Sequence, residues 1–255
     1  MSFTVTGFLI LFSRLSGLFI SAPILSSRMI PVRVKVFTIA ALAATLCYIV
    51  PLSSASQRIT TPAFFLAALA VEIVVGYTIG FVAYVVLGAI QLAGQLMDMQ
   101  MGFSIVNVVD PQSGTQIPLM GNLTQTVALL TYLAINGHHY LLQALVQSYQ
   151  AVPVLGLSMK PGLMELITET TVYMFVIAVK IAAPLVVAVL TTDVAMGFIA
   201  RTVPQMNVFL VGMPLKIMVG LGALLVMLPI YIWVFGELFA RFFAYLDQLI
   251  RVMGL

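Results

Sequence analysis

The 255 residues are 62% hydrophobic and 7% charged, whereas a soluble domain carries about 25% charged residues. With a mean hydropathy of +1.15, no soluble core hides that much apolar surface, so the chain is a multi-span membrane protein covered by lipid or by a large assembly. The net charge of +3 comes from scattered basic residues with no Lys/Arg run and no basic face interleaved with aromatics, so no nucleic-acid partner is expected.

A spanning helix needs about 20 mostly apolar residues. In chain order the candidates are residues 3–25, 34–52, 62–96, 117–149, 168–200 and 206–235, followed by an amphipathic tail to 253. The breaks fall on turn chemistry: Ser26–Pro31, Pro51–Pro62, Met97–Pro118, Pro153–Gly162 and Arg201–Asn207. The first segment lacks a basic start and is interrupted by Arg14, so it reads as a retained membrane segment and not a cleaved signal. The lone Cys47 sits in an apolar run and reads as a small buried hydrophobe. The expected fold is all-α and membrane-associated, built of long helical hairpins. Two features resist a simple arrangement of spans. Residues 62–96, as one helix rising about 1.5 Å per residue, extend roughly 50 Å, against a hydrocarbon core of about 30 Å. The basic residues also choose no side, with Arg28, Arg33, Lys35 and Arg201 in one set of alternate loops and Arg58, Lys160, Arg241 and Arg251 in the other.

Within the third segment, Ala68, Glu72, Gly76, Gly80, Tyr84 and Gly88 recur at every fourth position. On a helix they form a ridge of mostly small residues. Each glycine costs about 1 kcal/mol against alanine in a helix interior, which close helix approach offsets. Gly76, Gly80 and Gly88 are therefore helix-packing candidates, within the chain or between subunits. Arg14, Glu72, Lys180, Asp193 and Lys216 lie in or at the edges of apolar runs, where a Lys, Arg or Asp costs about 2.5–3.5 kcal/mol at a helix centre. Such residues serve a proton or ion relay, or they form structural pairs and subunit contacts. Their mixed signs, and the lack of a paired-aspartate cluster, favour the structural reading.

His138 and His139 are adjacent. Helix neighbours point about 100° apart, so they make a poor metal site and read as cap or packing residues beside Asn136–Gly137. No nucleophile–base pair, phosphate-binding glycine loop, dinucleotide fingerprint or zinc spacing occurs. The expectation is a non-enzymatic protein with no cofactor and no metal. In the tail, Glu237–Arg241 and Asp247–Arg251 are acid-first pairs four residues apart. Opposite them runs an apolar stripe that includes Phe239, Phe242 and Leu246, which fits a helix leaving the apolar region or a docking surface for a partner.

Three stretches together carry a resemblance. They are APILSSRMIPVRVK (22–35), MQMGFSIVNVVDP (99–111) followed by NGHHYLL (136–142), and ARTVPQMNVFLVGMPLK (200–216). In this order and spacing, over essentially the whole chain, the sequence resembles the FliR family of flagellar type III export-gate components. Residues 165–255 are also similar to FliQ, and residues 1–164 are similar in style to FliP. The resemblance implies a FliP-like unit joined to a FliQ-like hairpin, completing a helical ring with FliP-like and FliQ-like subunits around an export pore. It implies contact with a FlhB-like protein, with unfolded flagellar export substrates and with membrane lipid. The location implied is the bacterial inner membrane, multi-pass, in the flagellar basal body. Charges such as Arg201 then become subunit contacts.

The same resemblance implies a role for the irregular stretch between Met97 and Pro118. In the family the loop after the long glycine-bearing helix plugs the pore, which maps here to about residues 102–116. Met101, Gly102, Phe103, Ile105, Val106, Val108, Val109 and Pro111 are the plug candidates. Apolar side chains supply a dry seal, and glycine and proline supply an irregular backbone that is tolerated where it lines a cavity. An ordinary polar connector is the competing reading of those residues. Two other functions stay open: the equivalent subunit of a virulence secretion system, and a secondary transporter using Glu72, Asp193 and Lys180 as a relay.

Overall fold

The computed structural model describes residues 5–27, 29–50, 61–103, 118–154, 156–157, 161–205 and 207–254, and among them there is no strand. Seven helices occur among these residues: α1 (Val5–Ser21), α2 (Val32–Ile49), α3 (Pro62–Met101), α4 (Leu119–Ala134), α5 (Gly137–Ala151), α6 (Pro161–Thr202) and α7 (Val208–Gly254). The protein is an all-α membrane protein, as composition required. Four helices, α2, α3, α6 and α7, are long and apolar enough to cross a membrane. At 40, 42 and 47 residues, α3, α6 and α7 extend roughly 60–70 Å, about twice the hydrocarbon thickness.

Local chemistry sets the helix starts. Thr61 precedes Pro62, its carbonyl accepting from the Phe65 N–H at 3.1 Å and its hydroxyl from the Phe64 N–H at 3.4 Å. This is an N-cap followed by a proline that lacks the N–H a first turn cannot use. Asn207 caps α7 through Oδ1, which accepts from the Leu210 N–H at 3.3 Å. Pro161 opens α6 in the same position as Pro62 opens α3.

Several boundaries differ from the sequence expectation, among them the end of α3, which runs through Met97 to Met101. The stretch 117–149 is two helices, because Asn136 takes a left-handed conformation (φ 57°, ψ 34°) and ends the ladder before Gly137. Asparagine enters that region at little cost. The 206–235 segment and the tail are one helix, since the change from apolar to amphipathic alters what the helix touches but contains no backbone break. The 168–200 segment extends at both ends to residues 161 and 202.

Contacts gather the chain into two compact units, one of residues 1–86, 133–171 and 238–255, the other of 87–132 and 172–237. The division at residues 164/165 expected from resemblance concerns the likeness of segments to other proteins, and these units do not bear on it. In the first unit Ile10, Ala68 and Val154 form a buried cluster with Phe65 and Leu69 against it. In the second, Ile90, Met97, Leu185, Val189 and Phe235 are buried. Pro184 lies inside α6, where it removes a backbone donor and opens the turn before it. The Tyr231 hydroxyl of α7 donates to the Ile181 carbonyl of that turn at 3.0 Å.

Candidate functional site

In the first unit, α1 and α3 meet backbone to backbone. A Cβ on Gly76 would lie 1.9 Å from the Arg14 carbonyl oxygen, and one on Gly17 would lie 2.1 Å from that of Ile73. At Gly80 a Cβ would meet the Ser21 hydroxyl at 2.1 Å and the Ala22 nitrogen at 2.8 Å. The Ser21 hydroxyl uses this closeness, donating across the seam to the Tyr77 carbonyl at 2.9 Å. The ridge at Gly76 and Gly80 is thus matched by Gly17 and Ser21 on α1. Gly88 differs, since a Cβ there meets only the Met174 sulfur at 3.5 Å, an ordinary contact.

The seam holds a buried charge. Arg14 and Glu72 are both 0% exposed and pair through Nε and Oε2 at 2.5 Å. The other guanidinium nitrogens are also used: Nη1 donates to the Ser148 hydroxyl at 2.9 Å and Nη2 to the Val152 carbonyl at 3.0 Å. The Ser148 hydroxyl in turn donates to the Leu145 carbonyl at 2.6 Å. The guanidinium lies 3.8 Å over the Tyr149 ring, a cation–π contact strengthened by the absence of water. Burial pushes the Tyr149 phenol above its ordinary value, against the opposing pull of Arg14. Arg14 therefore ties α1, α3 and the end of α5 through one planar group. Glu72 is less fully served: its Oε1 has no protein partner among the described residues.

In the second unit, the end of α3 grips the start of α4. The buried Asp98 carboxylate accepts from the Met120 N–H at 3.0 Å and the Gly121 N–H at 3.1 Å. These are orphan donors of the first turn of α4, and a carboxylate there also meets the positive end of the helix dipole. Below it, a Cβ on Gly94 would sit 2.4 Å from Gly121 Cα. Sequence reading missed Asp98, though a signal existed: an acid in the last turn of α3 opposes its own helix dipole and so needs a partner elsewhere. It also missed Gly17, which with Arg14 and Ser21 makes a small stripe on α1, and it missed Ser148 and Val152, whose roles depend on which helix lies beside Arg14. An Asp98→Ala chain is expected to lose about 2–4 kcal/mol, from two charge-assisted hydrogen bonds and a cap. Asp98→Asn should lose less. Hydrogen exchange at the Met120 and Gly121 amides checks this, and unchanged protection in Asp98→Ala would refute the cap.

The remaining candidates are placed as follows. Met101 is the last residue of α3 and is buried. A Cβ on Gly220 would come within 2.6 Å of its side chain, so Met101 is packed core and not loop. Gly102 follows with φ +83°, the left-handed C-terminal stop that glycine serves, and Phe103 is half-buried. Ile105, Val106, Val108, Val109 and Pro111 lie outside the described residues. Asp193 and Lys216 pair at 2.5 Å, each about one-third exposed, while Lys180 and Arg201 are exposed in the single chain. His138 and His139 have ring centroids 4.2 Å apart, and no group of metal-ligating residues occurs among the described residues. The tail expectation needs correction. Phe239, Phe242 and Leu246 are 1%, 3% and 2% exposed, so this stripe is core of the first unit, and Phe243 beside it stacks on Tyr140 at 4.4 Å. An apolar stripe on a chain end reads the same whether its cover is a partner or the chain's own helices, and here it is the latter.

The profile of the family described as "Bacterial export proteins, family 1" matches residues 5–242. The chain is 36% identical over 250 residues to the flagellar biosynthetic protein FliR of Bacillus subtilis (strain 168), covering 97% of this chain and 95% of that one. The chain belongs to the FliR family. FliR of Escherichia coli (strain K12) is 30% identical over 95% of this chain and 92% of its own. The secretion system apparatus protein SsaT of Salmonella typhimurium is 26% identical over 62% of this chain. With four helices able to cross a membrane, this FliR-family chain is a multi-pass membrane protein.

Proposed function

We propose that this chain is a structural and gating subunit of the flagellar type III export gate, needed for flagellum assembly because it helps unfolded flagellar proteins cross the bacterial inner membrane at the basal body. The observation that carries this is the similarity to flagellar FliR over 97% of the chain. The match to the secretion system apparatus protein SsaT is 26% identical over 62% of the chain, weaker and shorter than the 36% over 97% to flagellar FliR of Bacillus subtilis, which favours the flagellar reading. Assembly with FliP-like and FliQ-like subunits and a FlhB-like protein is supported by uncovered apolar surface: only 17% of the apolar stretch of α7 and 33% of that of α6 is buried within the chain. The role is positional and not enzymatic. Glu72 is committed to Arg14 and Asp193 to Lys216, an arrangement that suits structural pairs better than a relay. Mild-detergent purification with FliP-like and FliQ-like proteins tests the reading: a stable hetero-oligomer supports it, and a chain that purifies alone and transports a solute refutes it.

Within this role we assign residues 102–116 to the barrier across the export path. Their support is the family resemblance together with the way α3 stops at Gly102 and α4 is fastened by Asp98. Deleting a few residues within Ser104–Val108 is expected to leave the complex assembled, because loops tolerate length changes better than packed helices do. The reconstituted complex should then conduct ions. Phe103→Asp should conduct as well, since a charged constriction stays wet where an apolar one dewets. An assembled deletion variant as tight as the parent would sink this assignment.

A further inference from the structure

We infer that α2 is a lipid-facing helix whose basic end, Arg33 and Lys35, binds the headgroups of anionic phospholipid. Its 18 residues extend about 27 Å, close to the roughly 30 Å hydrocarbon core that α3, α6 and α7 overshoot. Only 11% of α2 is buried, against 61% of the apolar stretch of α3. The buried residues are Ile39 and Ala43, one turn apart on a single row. The sides away from that row are largely open and mostly apolar, with Val32, Val34, Val36, Phe37 and Ile49 all exposed. A mostly open apolar helix of bilayer length suits a lipid-facing span, whereas α6 and α7, also largely open, are about twice that length and are not matched to one hydrocarbon core. The ends of α2 are also marked as interfaces, with the two cations at the start and an exposed Tyr48 at the finish.

Charge identifies the headgroup. Among residues 1–71 there is no acidic residue. The first, Glu72, is taken by Arg14. No ion pair to Arg33 or Lys35 occurs among the described residues. Both cations stand in the first turn of α2, where no acid accompanies them and the helix dipole disfavours positive charge. Arg33 is exposed, and Lys35 is half-buried at the foot of the Ile39–Ala43 row, a position from which its long side chain can snorkel to the surface. An anionic lipid surface resolves this uncompensated charge, and a neutral lipid or an apolar protein face does not.

The test uses the full-length chain co-purified with its gate partners and native mass spectrometry after adding phosphatidylglycerol or phosphatidylcholine. Phosphatidylglycerol should be retained preferentially. R33Q/K35Q should lose about 25-fold of that preference, from roughly fivefold per basic residue at an anionic surface. R33K/K35R and the control R251Q, at an exposed cation of the tail, should keep it. A second measurement leaves both cations intact: a photo-crosslinking amino acid at Phe37 should capture phospholipid. Equal retention of the two lipids, an unchanged R33Q/K35Q, or capture of a protein at position 37 would overturn the inference.

Discussion

A Gly76→Leu chain is expected to be lost from the assembled complex and to leave cells non-motile. Even the first added carbon is impossible in place, because it would stand 1.9 Å from the Arg14 carbonyl oxygen and 2.8 Å from its carbon. Both are backbone atoms, so no side-chain rotation relieves the clash and α1 must move off α3. Overpacking of a core that can adjust costs about 1–3 kcal/mol. Here the cost also includes what α1 holds: the Arg14 network and the Ser21–Tyr77 bond. Gly80→Leu should be severe too, though Ser21 can rotate away from part of it. Gly88→Ala is the control, since a Cβ there meets an ordinary 3.5 Å contact. Yield of co-purified complex from mild detergent checks all three. Normal yield for Gly76→Leu would mean that α1 and α3 are not joined along this row.

The second large effect is expected at the buried pair. Arg14→Ala leaves Glu72 charged and unpaired at 0% exposure, and breaking such a pair costs about 3–5 kcal/mol. That is a large share of a total stability of roughly 5–15 kcal/mol. Arg14→Ala also takes a donor from the Val152 carbonyl and leaves the Ser148 hydroxyl only its bond to the Leu145 carbonyl. The double variant Arg14→Met, Glu72→Leu removes both charges and refills the space, and should recover most of the loss. Thermal unfolding and complex yield in detergent measure the stability, and swimming motility measures the function. The comparison separates two roles for Glu72. A structural lock predicts that the double variant assembles and swims. A proton relay predicts that it assembles and does nothing, as would Glu72→Gln.

Several features were legible in the residues because they depend on local chemistry alone. The overlong helices followed from the lengths of the apolar runs. The close approach at Gly76 and Gly80 followed from a four-residue repeat of a residue that is costly in helices without a packing reason. Other features were not legible, and the tail shows why. The stripe holding Phe239, Phe242 and Leu246 demanded cover, but hydrophobicity is non-directional and does not name its partner. Asp98 shows the same limit with charge. Its sequence position reveals a carboxylate in an unfavourable turn, while its two donors lie 22 and 23 residues downstream and become neighbours only when α3 and α4 pack.

By itself, then, the sequence determined the class of the protein, its helical character with overlong apolar runs, the glycine row and the presence of charges that water could not serve. These follow from composition and from periods within one helix, which are properties of neighbouring residues. Only the tertiary structure decided that Arg14 belongs to Glu72 with Ser148 and Val152, that Lys216 belongs to Asp193, and that the tail stripe closes on its own chain. A buried charge needs some counter-charge and an apolar face needs some cover. Which one each receives depends on how helices far apart in the chain come to lie side by side.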